Sequence, residues 1–355
     1  MTGPRVVSLF SGAGGLDLGI KRSGFDVILA TDLDGKSAMS HRANFPETAF
    51  FEGSIADFTH DVAAGLVSED ALKDVDLLIG GPPCPPFSKS RFYRVDKPRA
   101  MDDPVGEVTI SGYLNTLRWL KPKAFLLENV AGMAFNVHAE TLQHIVKTAE
   151  DLGYKVEYRV LNAADYGVPQ IRQRFILIGT LNGHFDWPLA THSDPKLLGE
   201  APPWTTAGSV LGDLDTDENA DDTGHFAGGR HHDLLKLIPP GDNYLFLTEK
   251  RGYPDPKFEW RKRYWSFLLK LSPEMPSWTI QARRSNNMGP LHWRNRILRI
   301  DEVKRLQTFP DDWVLTGKVE DQWRQVGNAV PPMLAEAIGR SLIQAVGATE
   351  LLKVA

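Results

Sequence analysis

The stretch VVSLFSGAGGLDLGI, residues 6–20, passes from an apolar run through Gly12, Gly14 and Gly15 into a helical pattern. Glycines between a strand and a helix let a small ligand approach the backbone. The spacing departs from GxGxxG, so the turn alone would serve nicotinamide, flavin or S-adenosylmethionine cofactors equally. Asp32 ends the next apolar run, DVILATD, twenty residues after Gly12. A carboxylate there can accept hydrogen bonds from ribose hydroxyls, which points to a nucleoside cofactor. The plainer alternative is a surface acid after a strand.

Similar apolar runs recur as DLLIG, AFLLENV and FILIGT within the first 180 residues, separated by helix-like segments. Val/Ile/Leu runs without alternation mark strands buried on both faces. Their spacing predicts a parallel sheet with helical crossovers, a Rossmann-like α/β fold with helices on both faces. Beyond residue 184 the pattern loosens into Pro-, Gly- and Asp-rich segments such as DWPLATHSDPK and IPPGDNY, predicting a smaller, loop-rich domain. DEVKRLQTF then reads as a short helix. Pro331 and Pro332 suit the start of an amphipathic helix, MLAEAIGRSLIQAV, that would return to the first domain. The expected divisions are 1–183 for the first domain, 184–300 for the second, 301–324 for a returning helix and hinge, and 325–355 for a segment completing the first domain.

Of the 355 residues, 42% are hydrophobic and 24% charged, and no apolar run approaches the roughly 20 residues that span a bilayer. No membrane partner is expected. MTGPRVVSLF lacks a basic region followed by a long apolar one, so a cytosolic protein without a secretory signal is expected. A net charge of −5 argues against a general nucleic-acid coat, yet residues 251–305 hold thirteen Lys/Arg against five Asp/Glu. Residues 213–222 carry six acids and no base, consistent with a solvated loop. Within the basic stretch, Trp260, Arg261, Lys262, Arg263, Tyr264 and Trp265 are followed by Arg283, Arg284, His292, Trp293, Arg294 and Arg296. Cations interleaved with aromatics are the footprint of a polyanion-binding face. A charged face over core aromatics would give the same pattern.

GGPPCPPFSKS, residues 80–90, contains the only cysteine, Cys84, among four prolines. One thiol excludes an intramolecular disulfide and any thiolate cluster, and no metal is expected. The segment follows an apolar strand, at the sheet edge where open α/β folds keep their ligand crevices. The prolines remove backbone donors and hold φ at about −65°, so the loop is stiff. With a pKa of about 8.5, a free thiol needs local help and a held orientation to act as a nucleophile. A buried structural thiol is the commoner state of a free cysteine. Glu128 and Asn129 end AFLLENV at the same edge, where a carboxyl with a pKa raised by burial can share a proton with a ring nitrogen. In YGVPQIRQRFILIGT, Arg172 and Arg174 enter a strand at i, i+2 and are expected on one face, suited to phosphate or carbonyl oxygens.

In order, FSGAGGLDLG, GGPPCPPFS, ENV, QIRQR, RLQTFP and QVGNAVPP resemble the signature motifs of C5-specific DNA cytosine methyltransferases, across most of the chain. The gap from about residue 181 to 300 falls where that family keeps its target-recognition region, and the basic-aromatic stretch lies inside it. The resemblance implies methyl transfer from S-adenosylmethionine to carbon 5 of a cytosine flipped out of duplex DNA. It makes Cys84 the nucleophile that adds to carbon 6. It assigns Glu128 to N3 and the exocyclic amine, Arg174 to O2 and Arg172 to a backbone phosphate. Phe10, Gly12, Ala13, Gly14, Gly15, Asp32, Ser54, Ile55, Pro83, Asn328 and Val330 are its cofactor residues. Residues 88–108 suit a mobile loop closing over DNA, with Ser88, Lys89, Ser90 and Arg91 at its start. Arg283, Arg284, Arg294 and Arg296 are expected to lie toward DNA.

Two positions depart from the family pattern: Pro85 replaces the usual glutamine after the nucleophile, and Ser54 stands where an aspartate often holds the adenine amine. A tRNA-modifying branch shares the fold, but its Cys-Phe-Thr signature needs a second cysteine that this chain lacks. A silent DNA-binding relative would usually have lost Cys84 or Glu128. A nicotinamide dehydrogenase leaves the cysteine loop, QIRQR and QVGNAVPP without a role. The size suggests a monomeric bacterial or archaeal restriction–modification enzyme, associated with the nucleoid and paired functionally with an endonuclease.

Overall fold

The computed structural model describes residues 3–83, 100–181, 184–197, 200–215 and 229–347. Strands β1 (Arg5–Leu9), β2 (Asp26–Asp32) and β3 (Ala49–Glu52) alternate with helices α1 (Gly15–Arg22) and α2 (Gly35–Asn44). Two short helices, α3 (His60–Ala64) and α4 (Glu69–Lys73), lead to β4 (Val75–Gly80). Then come α5 (Pro104–Leu120), β5 (Ala124–Val130), α6 (Ala139–Asp151), β6 (Lys155–Asn162), β7 (Gln170–Ile171) and β8 (Gln173–Thr180). The second domain adds α7 (Ala207–Leu211), 3-10 turns and β9 (Ser277–Trp278). Helices α8 (Ile300–Leu306), α9 (Val319–Asn328) and α10 (Pro332–Ala345) close the described chain.

The main sheet has the order β3-β2-β1-β4-β5-β8-β6. Its first five strands pair in parallel. FILIGT, in β8, differs from the all-parallel expectation, running antiparallel to both β5 and β6. The reason is the connection: residues 163–172 are too few for a helical crossover, so the chain can only double back. KVEYRVLN, in β6, gives no apolar run because it is a largely exposed edge strand.

Neighbouring strand residues send their side chains to opposite faces. Val6, Leu77 and Leu126 pack with α1 and α10 on one side, while Val7, Leu78 and Phe125 pack with α5 and α6 on the other. Pro332 opens α10, whose Leu334, Ile338, Leu342 and Ile343 are fully buried. Those four side chains contribute roughly 6–12 kcal/mol of apolar burial before chain entropy is subtracted. A third core unites Leu211, Leu235, Leu268 and Leu291 with Val303 and Leu306 of α8, Trp323 and Val326 of α9, and Phe45 at the end of α2. Helices α8 and α9 therefore share this third core, and α10 packs in the core beside α1. No helix among the described residues is long and apolar enough to cross a membrane.

Candidate active site

Strand register sets the site. Leu9 lies beside Gly80, and Gly80 beside Leu127, so β1, β4 and β5 release their chains side by side. Phe10–Gly12, Gly81–Pro83 and Glu128 consequently meet at one end of the sheet. There they line a cleft of about 1280 Å³ whose far wall comes from the second domain.

On the β1–β2 side, the chain turns sharply at Phe10, φ 57, so that the Ser11 amide donates to Thr31 O at 2.9 Å. A left-handed L-residue costs roughly 1–2 kcal/mol, which the surrounding hydrogen bonds must outweigh. Gly12 and Gly14 also have positive φ, 56 and 83. Asp32 ties the turn to β2: its Oδ2 accepts from the Gly12 amide at 2.7 Å and its Oδ1 from the Asp34 amide at 2.8 Å. Burial raises its pKa, opposed by the Asp34 and Gly12 amides. The Leu33 amide also acts on this carboxylate, and of its roughly four lone-pair sites one is left for a hydroxyl donor. Phe10, Gly12, Ala13, Gly15, Asp32, Ser54, Ile55, Pro83, Asn328 and Val330 all line the cleft. Gly14 is the exception; it packs away from the cleft, where a Cβ would lie 2.5 Å from the Phe45 ring. The Ser54 hydroxyl accepts from the Ala56 amide at 3.2 Å, capping a short turn, while still lining the cleft.

At the cleft's centre the Arg174 Nε donates to Glu128 Oε1 at 2.8 Å. Both side chains are about nine-tenths buried. Burial pushes the Glu128 carboxyl above the usual glutamate range, against the opposing pull of Arg174 and then Arg172. Its Oε2 lies where a Cβ on Gly81 would be 2.9 Å away, so a side chain there would push the carboxyl out of its present position. Asn129 ties the two strand ends together: its Nδ2 donates to Pro82 O at 3.1 Å, and its Oδ1 accepts from the Val130 amide at 2.9 Å. Cys84 follows two residues after that anchor. Cys84, Pro85, Ser88, Lys89, Ser90 and Arg91 lie outside the described residues.

Arg172 differs from the expectation in what it holds. It lines the cleft with Arg174, and both lower the Glu128 pKa, but it falls between β7, in a two-stranded sheet with β9, and β8 in the main sheet. Its guanidinium is fully buried and donates to Ile280 O at 2.9 Å, Gly327 O at 2.7 Å and Ala329 O at 3.0 Å. Those carbonyls belong to the segment after β9 and to the α9–α10 junction, so the guanidinium ties three distant parts of the chain together at the cleft. Arg172→Met is expected to strand these buried carbonyls and lower stability by roughly 3–5 kcal/mol. A denaturant midpoint left unmoved, with DNA affinity reduced, would restore the phosphate role.

The four arginines expected toward DNA also separate. Arg283, next to cleft-lining Ala282, is exposed. Arg284 is partly buried, 3.5 Å from Glu320. Arg294 pairs with Asp215. Arg296 is a second correction: it is 4% exposed and grips fully buried Glu302 with two bonds, of 2.8 and 2.6 Å. Beside it His292 is fully buried and held well below its ordinary pKa, mainly by burial. His292, Arg296 and Glu302 thus form an interior charge cluster, while Arg294 between them stays exposed.

Several cleft-lining residues carry no sequence signal of their own. Leu33 is 73% exposed at the cleft, and Arg324, on α9, reaches Asp34 at 3.0 Å. Trp265 and Trp278 line the second domain's wall. Only Trp265 belongs to the basic-aromatic pattern; Trp278 sits in a two-residue strand too short for periodicity to mark.

Residues 4–344 match the family model described as C-5 cytosine-specific DNA methylase. Type II methyltransferase M.SacI of Streptomyces achromogenes is 37% identical, with 96% of this chain and 93% of that protein covered. M.XorII of Xanthomonas oryzae pv. oryzae is 31% identical over 97% of this chain and 86% of its own length. Among solved structures, a putative DNA modification methyltransferase encoded within a prophage in E. coli superposes with a TM-score of 0.71 at 22% identity, covering 97% and 99% of the two chains. The S. pombe Dnmt2 methyltransferase gives 0.65 at 16% identity, covering 96% and 98%. With the family model spanning nearly all of it and a glycine turn, a buried carboxyl and the Gly81–Pro83 segment meeting at one sheet edge, this chain belongs to the C-5 cytosine-specific DNA methylases, enzymes that use S-adenosylmethionine as methyl donor.

Proposed function

We propose that this enzyme methylates carbon 5 of a cytosine extruded from a specific duplex DNA sequence, through a covalent bond between Cys84 and carbon 6. The observation that carries this reading is the buried Glu128–Arg174 pair, positioned by Asn129 beside the segment that leads into Cys84. The cleft's cofactor side fits S-adenosylmethionine: a Cβ on Gly12 would meet nothing within 4 Å, and the buried Asp32 retains acceptor capacity for ribose. Phe10, Gly12, Ala13, Asp32, Ile55, Asn328 and Val330 would hold it, with Gly14 shaping the turn from behind. When bound, it supplies an electrophilic methyl sulfonium.

The protein's own groups do the rest. The Cys84 thiolate adds to carbon 6. Protonated Glu128 donates to N3 and relieves the negative charge that this addition places on the ring. Arg174 fixes the carboxyl's orientation and offers its remaining donors to O2. Carbon 5, now enamine-like, becomes the nucleophile. Loss of its proton after alkylation expels Cys84 and restores the aromatic ring. Base flipping costs a few kcal/mol, offset by contacts in the cleft.

The biological setting we propose is a monomeric modification enzyme in a bacterial or archaeal cytoplasm, paired with an endonuclease of the same sequence specificity. Incubation with tritiated S-adenosylmethionine and plasmid DNA, followed by bisulfite sequencing, should place the label at 5-methylcytosine within one short recurring sequence. No label in DNA across varied plasmids defeats this reading, and label entering tRNA instead would transfer it to RNA.

A further inference from the structure

The second domain's wall of the cleft carries two large apolar side chains that its core does not use. Trp265 and Trp278 are each 41% exposed, yet their rings meet edge to face with centroids 5.1 Å apart. Their backbones are held independently. Asn243 Nδ2 donates to Trp265 O at 2.7 Å, while Trp278 pairs in register with Ile171 of β7. Ile171 precedes Arg172 and lies three residues before the Arg174 that holds Glu128, so the strand pairing places Trp278, and with it the indole pair, next to the segment that carries Arg174. Exposed aromatics with fixed backbones in a ligand cleft mark a contact surface. The surrounding charge selects the occupant. Arg263, its guanidinium 4.7 Å from the Tyr264 ring, and Arg283 are both exposed on the segments that bear the two tryptophans. Flat apolar faces beside cations suit nucleobases on a phosphate backbone.

We infer that Trp265 and Trp278 form a stacking platform for the nucleobases beside the extruded cytosine, making them DNA-positioning residues. The inference rests on the function proposed above. The platform is indifferent to base identity, since every base offers a π-face. It holds the strand while other groups read the sequence.

The test uses the intact protein and a short duplex bearing the site mapped by bisulfite sequencing, with 2-aminopurine next to the target cytosine. Trp265→Ala and Trp278→Ala should each weaken duplex binding roughly 5- to 150-fold. The loss should appear in KM for DNA, with kcat, S-adenosylmethionine affinity and the salt slope of binding retained, because no cation is removed. Stacking further predicts that Phe at either position restores most of the affinity and the 2-aminopurine quench, whereas Leu, equally apolar, does not. Should an alanine variant fail to fold, the Phe and Leu pair carries the test. Unchanged DNA affinity in these variants, equal rescue by Leu, or a loss confined to cofactor binding overturns the platform alone. An unsubstituted protein that never labels DNA removes the underlying function as well.

Discussion

Cys84→Ser is expected to bind duplex DNA and S-adenosylmethionine normally while methyl transfer falls by roughly 10³-fold or more. Carbon 5 of cytosine is a weak nucleophile until carbon 6 carries an electron-rich substituent. An alcohol, ionising far above a thiol, supplies almost no anion near neutrality. The described residues that lead into Cys84 are held in place. Asn129 fixes Pro82 O two residues upstream, and Glu128 waits across Gly81. A second measurement separates lost chemistry from lost folding. With 5-fluorocytosine at the target, carbon 5 has no proton to lose, so the parent enzyme should remain bonded to DNA on a denaturing gel. The serine variant should leave no such complex. Comparable complexes from both proteins would show that another group attacks carbon 6.

How much of this was legible in the sequence depends on the kind of interaction. The glycine turn, Asp32 and Glu128 are visible because strand-to-helix turns and sheet-edge acids are local features, and parallel strands necessarily release them at one edge. The reversal of β8 was less visible, because an apolar run reports burial but not direction. Arg172 and Arg296 mark the limit. By composition each is a cation near other cations, but one is enclosed by three carbonyls from distant segments and the other by Glu302. Nothing local distinguishes a cation facing solvent from one facing an interior acceptor. The same blindness hid Trp278, whose exposure is set by a two-residue pairing across domains.

Glu128→Gln is expected to reduce kcat by roughly 10²- to 10⁴-fold and to change its pH dependence. Burial, the largest influence on this carboxyl, favours its neutral form, and the two arginines offset that only in part. The sign follows directly. A raised folded-state pKa contributes stability that is complete below the ordinary glutamate range and lost as pH rises through the raised value. The neutral form is also the one that donates to N3, so activity should decline on that same alkaline side. Cys84 imposes the opposite trend, gaining thiolate as pH rises, and the product is a bell-shaped profile for the parent enzyme. Glutamine can offer N3 a hydrogen bond but no proton, and it does not titrate. The variant should therefore keep the rising limb set by Cys84 and lose the falling limb set by Glu128. S-adenosylmethionine affinity serves as the folding control, since the cofactor side of the cleft is built by β1, β2 and the α9–α10 junction. If the variant retained the parent's falling limb, the titrating group would have to be another residue, and the pairing with Arg174 at 2.8 Å would then serve structure alone.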